Sequence, residues 1–139
     1  MAIFRIVRLM RSEDHGAALV ETAMILFVVL LLVAGMVDLG RAFDAYIVLG
    51  EASRAGARYG SLNPYDGVGI RAAVVEMAAN NGLTVTEWDV TIDGLGGQPG
   101  HPIRVTVVHQ FPTMMGGIIG FESIAMRNWT EMAIVGAVP

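Results

Sequence analysis

The stretch Gly16–Val37, GAALVETAMILFVVLLLVAGMV, decides how the rest of the chain is read. Sixteen consecutive residues, Thr22 to Val37, carry no charge, and Ala17–Val20 extends the apolar run beyond Glu21, giving 21 residues from Ala17 to Val37. At 1.5 Å of rise per residue such a helix covers about 30 Å, the hydrocarbon thickness of a bilayer. A helix buried in a soluble domain usually keeps a polar face, and Met24–Val37 has none on any side. The segment reads as a membrane-spanning helix.

The flanks set its orientation and extent. Met1–Gly16 (MAIFRIVRLMRSEDHG) carries Arg5, Arg8 and Arg11, which predict a cytoplasmic N-terminus and an extracytoplasmic remainder. Arg41, on the far side, has Asp38 and Asp44 as helix neighbours that offset its charge. A secretory signal would have an apolar core of about 7–15 residues and then a small-residue cleavage site. This run is longer and continues past Ala34–Gly35. From Asp38 to Tyr59, Leu39, Phe43, Tyr46, Ile47 and Leu49 recur at helical spacing, with Asp38/Arg41, Arg41/Asp44 and Glu51/Arg54 at i, i+3. The helix is therefore expected to continue, amphipathic, to Tyr59, about 65 Å in all with half of it beyond the bilayer. Ala52, Gly56 and Gly60, four apart, form a small-residue ridge for close approach of a neighbouring subunit's helix or of the protein's own sheet.

Gly16-Ala17-Ala18-Leu19-Val20-Glu21 places a glycine at the end of the polar leader and a carboxylate five residues later inside the apolar run. This resembles the type IV pilin-like signal. The longer string GAALVETAMILFVVLLLVAGMVDLGRAF, followed by EASRAGARYG, is similar to the TadE/TadG-like family of tight-adherence (Tad/Flp) pilus systems. The resemblance covers Gly16–Gly60, about a third of the chain. It implies that a prepilin peptidase cuts between Gly16 and Ala17 and that the apolar helix stays in the mature protein. It also implies that Glu21 pairs with the Ala17 α-amine of a neighbouring subunit, an amine largely protonated at neutral pH. An ionised carboxylate in an apolar helix costs about 2.5–3.5 kcal/mol or more, so Glu21 needs either that partner or a shallow position at headgroup depth.

Beyond the helix, Ser61–Gly69 (SLNPYDGVG) holds Asn-Pro and Asp-Gly and reads as a connection. Ile70, Ala73, Val74, Met77 and Ala78 fit a second helix over about Val68–Asn81, closed by Asn81-Gly82. Val85–Ile92, Ile103–Phe111 and Ser123–Ala133 alternate as strands, and Asp93–Pro102 reads as a hairpin loop turning at Asp93-Gly94. In Pro112–Phe121 (PTMMGGIIGF), Met114, Met115, Ile118 and Ile119 are expected to fold back onto the helix, the alternative being an exposed patch for a partner or membrane surface.

Composition excludes several functions. Apolar residues make up 54% of the 139 and charged ones 16%, too apolar for a disordered chain. Nine arginines, no lysine and thirteen acids leave net −4, without the cationic surplus that nucleic-acid binding needs. With no cysteine, disulfides, thiolate zinc sites and cysteine nucleophiles are excluded. His101 and His109 lack the further ligands of a metal site. Gly94-x-Gly96-x-x-Pro99 fails as a dinucleotide loop, and Ser53, Ser61 and Ser123 stand in no nucleophile motif. Asn128-Trp129-Thr130 matches a glycosylation sequon inside a strand and reads as coincidence.

The expected architecture is α+β. Residues 1–16 form a cytoplasmic leader peptide, and 17–60 a long N-terminal helix with 17–37 in the membrane. Residues 61–139 form an extracytoplasmic head with a second helix and an antiparallel sheet of about three strands. Together with the resemblance, this implies a processed minor pilin or pseudopilin, assembling through its apolar helix and serving pilus biogenesis and surface adhesion. Its partners would be the bacterial inner membrane, a prepilin peptidase, and other pilin subunits or copies of itself. No catalytic residue, metal, cofactor or small-molecule substrate is expected. The competing reading is an unprocessed, single-pass anchored protein that binds or assembles other parts of a pilus or secretion system.

Overall fold

A computed structural model of the chain describes residues 3–120 and 122–136, with side chains from residue 16 onward except those of 118 and 119. Two compact units meet in sequence at Val37/Asp38. The long helix α1 (Ile3–Leu62) contributes to both. It starts upstream of the expected Ala17 and ends just past Tyr59, where Pro64, lacking an N–H, stops it. The side chains of Arg5, Arg8 and Arg11 lie outside the described residues.

From Thr22 to Val37, in the first unit, α1 carries no charged residue on any side. Its most apolar 18-residue window has a mean hydropathy of 2.7 and none of it is buried against protein. Leu19, Met24, Phe27, Leu30 and Met36 are all exposed, an arrangement suited to lipid and not to water. The Thr22 hydroxyl donates to the Ala18 carbonyl at 2.8 Å, so it adds no unsatisfied polar group to this surface. α1 anchors the chain in a membrane.

The second unit is α+β. It holds the remainder of α1, then α2 (Gly67–Asn80), β1 (Val90–Asp93), β2 (Pro102–Pro112), a single helical turn α3 (Gly116–Ile119) and β3 (Ser123–Ala133). The antiparallel sheet has the order β1-β2-β3, and β2 pairs with β3 in one unbroken register from Pro102/Ala133 to Pro112/Ser123. Strand alternation sends Ile103, Val105, Val107 and Phe111 inward, with Arg104 and Gln110 outward. The inward residues join Leu49, Ala52 and Ala57 of α1, Ile70, Val74 and Ala78 of α2, and Val85, Val90 and Ile134 in one core. Asp66 caps α2 by accepting the Gly69 N–H at 2.8 Å. At its other end the chain turns through Gly82, φ 75°, with the Leu83 N–H on the Ala78 carbonyl.

Two expectations are corrected, the bounds of the first strand and the i, i+3 ion pairs. The first strand spans Val90–Asp93 instead of Val85–Ile92, because the Asp89 carboxylate accepts the Thr86 N–H and hydroxyl at 2.8 and 2.7 Å and closes a 3₁₀ turn over Glu87–Asp89. The face that α1 buries is Ala45, Val48, Leu49, Ala52, Ser53, Gly56, Ala57, Gly60 and Ser61. Of the apolar residues that recur along this stretch, Leu49 is buried, whereas Leu39, Phe43, Tyr46 and Ile47 are exposed, since close approach to a sheet favours the small residues. Of the three i, i+3 pairs, Asp38–Arg41 forms, at 3.1 Å, whereas Arg41/Asp44 and Glu51/Arg54 form no ion pair among the described residues.

The end of the described chain returns to the end of α1. The Ser61 carbonyl accepts the N–H groups of Val135 and Gly136 at 2.8 and 2.7 Å. These donors satisfy a carbonyl that the helix terminus leaves without an internal partner. Gly136 is buried against the Leu62 backbone, where a Cβ would collide.

Candidate functional site

Gly16, Ala17 and Glu21 are exposed on α1. Ala17 and Glu21 are four residues apart and so share one helix face. No described residue forms an ion pair or hydrogen bond with the Glu21 side chain, a carboxylate without a partner inside an apolar helix.

The Ala52/Gly56/Gly60 ridge lies in the second unit and is buried. A Cβ on Gly56 would collide with Val74 Cγ2 and stand 3.2 Å from Val105 Cγ1. One on Gly60 would stand 2.8 Å from Ile103 Cδ1 and 3.0 Å from Ile70 Cδ1. The missing side chains let α2 and β2 approach the α1 backbone. Ser53, also on this face, donates to or accepts from the Thr130 hydroxyl at 2.8 Å and bonds the Gly50 carbonyl at 3.0 Å, so its oxygen serves packing.

Asp38, the first charged residue after the apolar run, holds the β2–β3 connection. Its Oδ1 accepts the Met114 N–H at 3.1 Å and its Oδ2 the Met115 N–H at 3.0 Å, while Arg41 Nη1 bonds Oδ1 at 3.1 Å. The Arg41 guanidinium in turn sits 5.2 Å from the centre of the Phe111 ring. The Met114 N–H, helped by that of Met115 and by Arg41, holds the Asp38 carboxyl below its ordinary range against the opposing effect of desolvation. Met114 and Met115 are thus held to α1 through their backbone N–H groups, but the Met114 side chain, expected to fold back onto the helix, is exposed, and that of Met115 is half-buried. Ile118, Ile119 and Phe121 lie outside the described side chains. Sequence reading missed this clamp: Asp38 was visible only as Arg41's helix neighbour, and nothing local indicates a bond 76 residues away.

The remaining candidates for chemistry stay apart. His101 is exposed and His109 half-buried opposite Met126, and no three His, Cys, Asp or Glu converge among the described residues. Gly94 and Gly96 have φ of 84° and 72° and serve the hairpin turn; the Gly96 N–H donates to the Pro64 carbonyl at 2.7 Å. The Ser61 hydroxyl bonds the Arg58 carbonyl, and Ser123 starts β3 exposed.

What distinguishes the chain is thus an apolar helix headed by Gly16 and Glu21 and continued by a small-residue ridge. The sequence pattern of a family described as TadE-like protein matches residues 16–58. Residues 16–58 are thus similar to the TadE-like family. That family is structural and associated with Tad pili, and the TadE-like segment takes in the whole apolar run and the start of the ridge. No curated relative and no solved structure matches the chain.

Proposed function

We propose that the protein is a minor pilin or pseudopilin. It enters the inner membrane with Arg5, Arg8 and Arg11 in the cytoplasm and the head outside. A prepilin peptidase then removes residues 1–16, and the apolar helix passes from lipid into contact with other pilin subunits or copies of itself. The observation that carries this reading is Glu21, an unpartnered carboxylate on a helix otherwise uncharged from Gly16 to Val37, four residues beyond the proposed new amine of Ala17. Pairing between that amine and the Glu21 of a neighbour would remove two unpaired charges from an apolar environment together. Moving the helix from lipid to neighbouring helices exchanges one apolar surrounding for another, so extraction need not oppose the hydrophobic effect. In the assembled state the head would contribute to pilus biogenesis and surface adhesion.

Intact mass and N-terminal sequencing after co-expression with the cognate peptidase test the proposal. The expected mature protein begins at Ala17, and Gly16→Val should block the cut by crowding the scissile bond. An assembled protein that still begins at Met1 would overturn the processing step.

A further inference from the structure

Asp38 is the first charged residue after the uncharged run Thr22–Val37, and exposed apolar side chains share its end of the head. Leu39 and Phe43 of α1 are exposed there. Met114, in the β2–β3 connection, is 68% exposed, although two backbone hydrogen bonds to Asp38 fix its neighbourhood. The connection itself is uncharged from Phe111 to Phe121. Packing inside the head explains none of this exposure, and apolar groups held at a fixed place on a surface mark a contact.

Chain connectivity says what this end faces. The 21 residues Ala17–Val37 already cover the about 30 Å of hydrocarbon, and the headgroup region adds about 5–8 Å on each side. Along α1, Leu39 comes about 3 Å and Phe43 about 9 Å after Val37. Helical Cα–Cβ bonds tilt toward the N-terminus, so the Phe43 side chain covers the turn before it, on the side of the apolar run. Met114 and Met115 are tied to Asp38 within the head, and Asp38 adjoins Val37 in the chain. This end therefore stays at the bilayer surface whichever way the head leans.

The chemistry of the end suits the boundary between acyl chains and headgroups. The Asp38 carboxylate takes the Met114 and Met115 N–H groups at 3.1 and 3.0 Å and Arg41 Nη1 at 3.1 Å, so its charge is compensated where water becomes scarce. The Arg41 guanidinium, set 5.2 Å from the centre of the Phe111 ring, gives only Nη1 to Asp38. Among the described residues its other N–H groups bond nothing, and its side chain is 44% exposed. A phospholipid phosphate supplies their acceptor at the depth where Leu39 and Met114 meet acyl carbon. A neighbouring apolar helix would cover the apolar side chains and leave those donors unmet.

We infer that the Asp38 end of the head is a lipid-contact surface, a second attachment to the bilayer beside the anchor itself. Leu39 and Met114 enter the boundary between headgroups and acyl chains, and Phe43 borders it. The Asp38 clamp thereby ties a loop 76 residues downstream to the membrane surface and limits how far the head can lean. This contact follows from the anchor alone. It depends neither on cleavage after Gly16 nor on which side of the membrane the head lies.

Fluorophores on single cysteines of the full chain test it, against a background with no native cysteine. One copy is placed in each phosphatidylcholine nanodisc, with or without lipid that carries a nitroxide quencher at its headgroup. Labels at Leu39→Cys and Met114→Cys should be quenched several-fold more than labels at Tyr65→Cys and Leu95→Cys. These reference positions are also exposed, but Tyr65 follows the Leu62 end of α1 and Leu95 lies against Gly67; that end is about 36 Å of helix from Asp38. Asp38→Ala should lower the quenching at Met114→Cys toward that at Leu95→Cys and leave Leu39→Cys unchanged, because the helix alone places Leu39. A Met114→Cys label quenched no more than the Leu95→Cys label, or quenched as strongly with Asp38→Ala as without it, would overturn the inference. So would protection of Met114→Cys from a soluble quencher that arises only when several copies share a disc, which would give the surface to a second chain.

Discussion

Replacing Gly56 by alanine isolates the packing role of the ridge, because Gly40 on the same helix supplies an internal reference. A Cβ at Gly40 would meet nothing within 4 Å, so Gly40→Ala should gain only the helix-propensity difference, about 0.8–1.0 kcal/mol. At Gly56 the same gain is opposed by a collision with Val74 Cγ2 and a 3.2 Å approach to Val105 Cγ1. Both neighbours are β-branched and buried, with few rotamers into which to move. Overpacking of this kind costs about 1–3 kcal/mol, so Gly56→Ala should be neutral to about 2 kcal/mol destabilising in net terms. Propensity cancels in the difference between the two variants, leaving the collision, about 1–3 kcal/mol. For a head of about 100 residues that separates the unfolding midpoints by at least about 4 °C. Gly60→Ala should fall between them, because its closest contacts are the Cδ1 ends of Ile103 and Ile70. Thermal unfolding of the full chain in detergent, followed by protease susceptibility of the head, measures the series. Equal midpoints for Gly56→Ala and Gly40→Ala would refute the conclusion that the ridge seats α2 and β2.

Asp38→Ala should speed hydrogen exchange at the Met114 and Met115 amides while leaving exchange in β1 and α2 unchanged. The same protection should respond to acid. Asp38, Asp66 and Asp89 are all held below the ordinary carboxylate range, so their stabilisation is complete above that range and is lost as pH falls through the lowered values. Protection should be level from pH 7 to 5 and decline below about pH 4, and a decline that begins near pH 6 would point to another group. Glu21→Ala and Glu21→Gln should insert and be cleaved like wild type yet be depleted from sheared pili relative to the membrane pool; normal incorporation of both would favour the headgroup-depth position. A reporter active only in the periplasm, fused after Pro139, should be active, and activity from a cytoplasmic reporter alone would reverse the orientation.

Local sequence carried the elements well where one physical rule dominated. The uncharged run Thr22–Val37 could only be a lipid-facing helix, Asn63-Pro64 could only end it, and the alternation in Ile103–Phe111 matched an inward face of Ile103, Val105 and Val107. The rule failed where two signals competed. Val85–Ile92 alternates, but the Thr86–Asp89 bonds bend half of it into a turn. Leu39, Phe43 and Tyr46 look like the packed face by hydrophobicity, yet a closely approached sheet selected Ala52, Gly56 and Gly60 by size. The ridge itself was legible, while its occupant was not, because residue spacing fixes a face and says nothing of what arrives there. The Asp38 clamp needs tertiary knowledge, namely which loop returns to the helix.

The return of Val135 and Gly136 to the Ser61 carbonyl has a consequence for the order in which the head is made. If the chain leaves the ribosome N-terminus first, the anchor is in lipid long before the residues that close the far end of α1 exist. Until then α2 is the one element past α1 that can cover the small-residue face from Ala45 to Ser61, since β2, β3 and the 134–136 segment all lie downstream. The contacts are long in sequence: Ser53 waits for Thr130, 77 residues later, and Asp38 for Met115. Closure is thus a late, concerted event, the regime in which exposed strands meet wrong partners. A nascent chain stalled before Thr130 should remain open to protease, with the part of the ridge that the sheet covers still available to whatever factor shelters it.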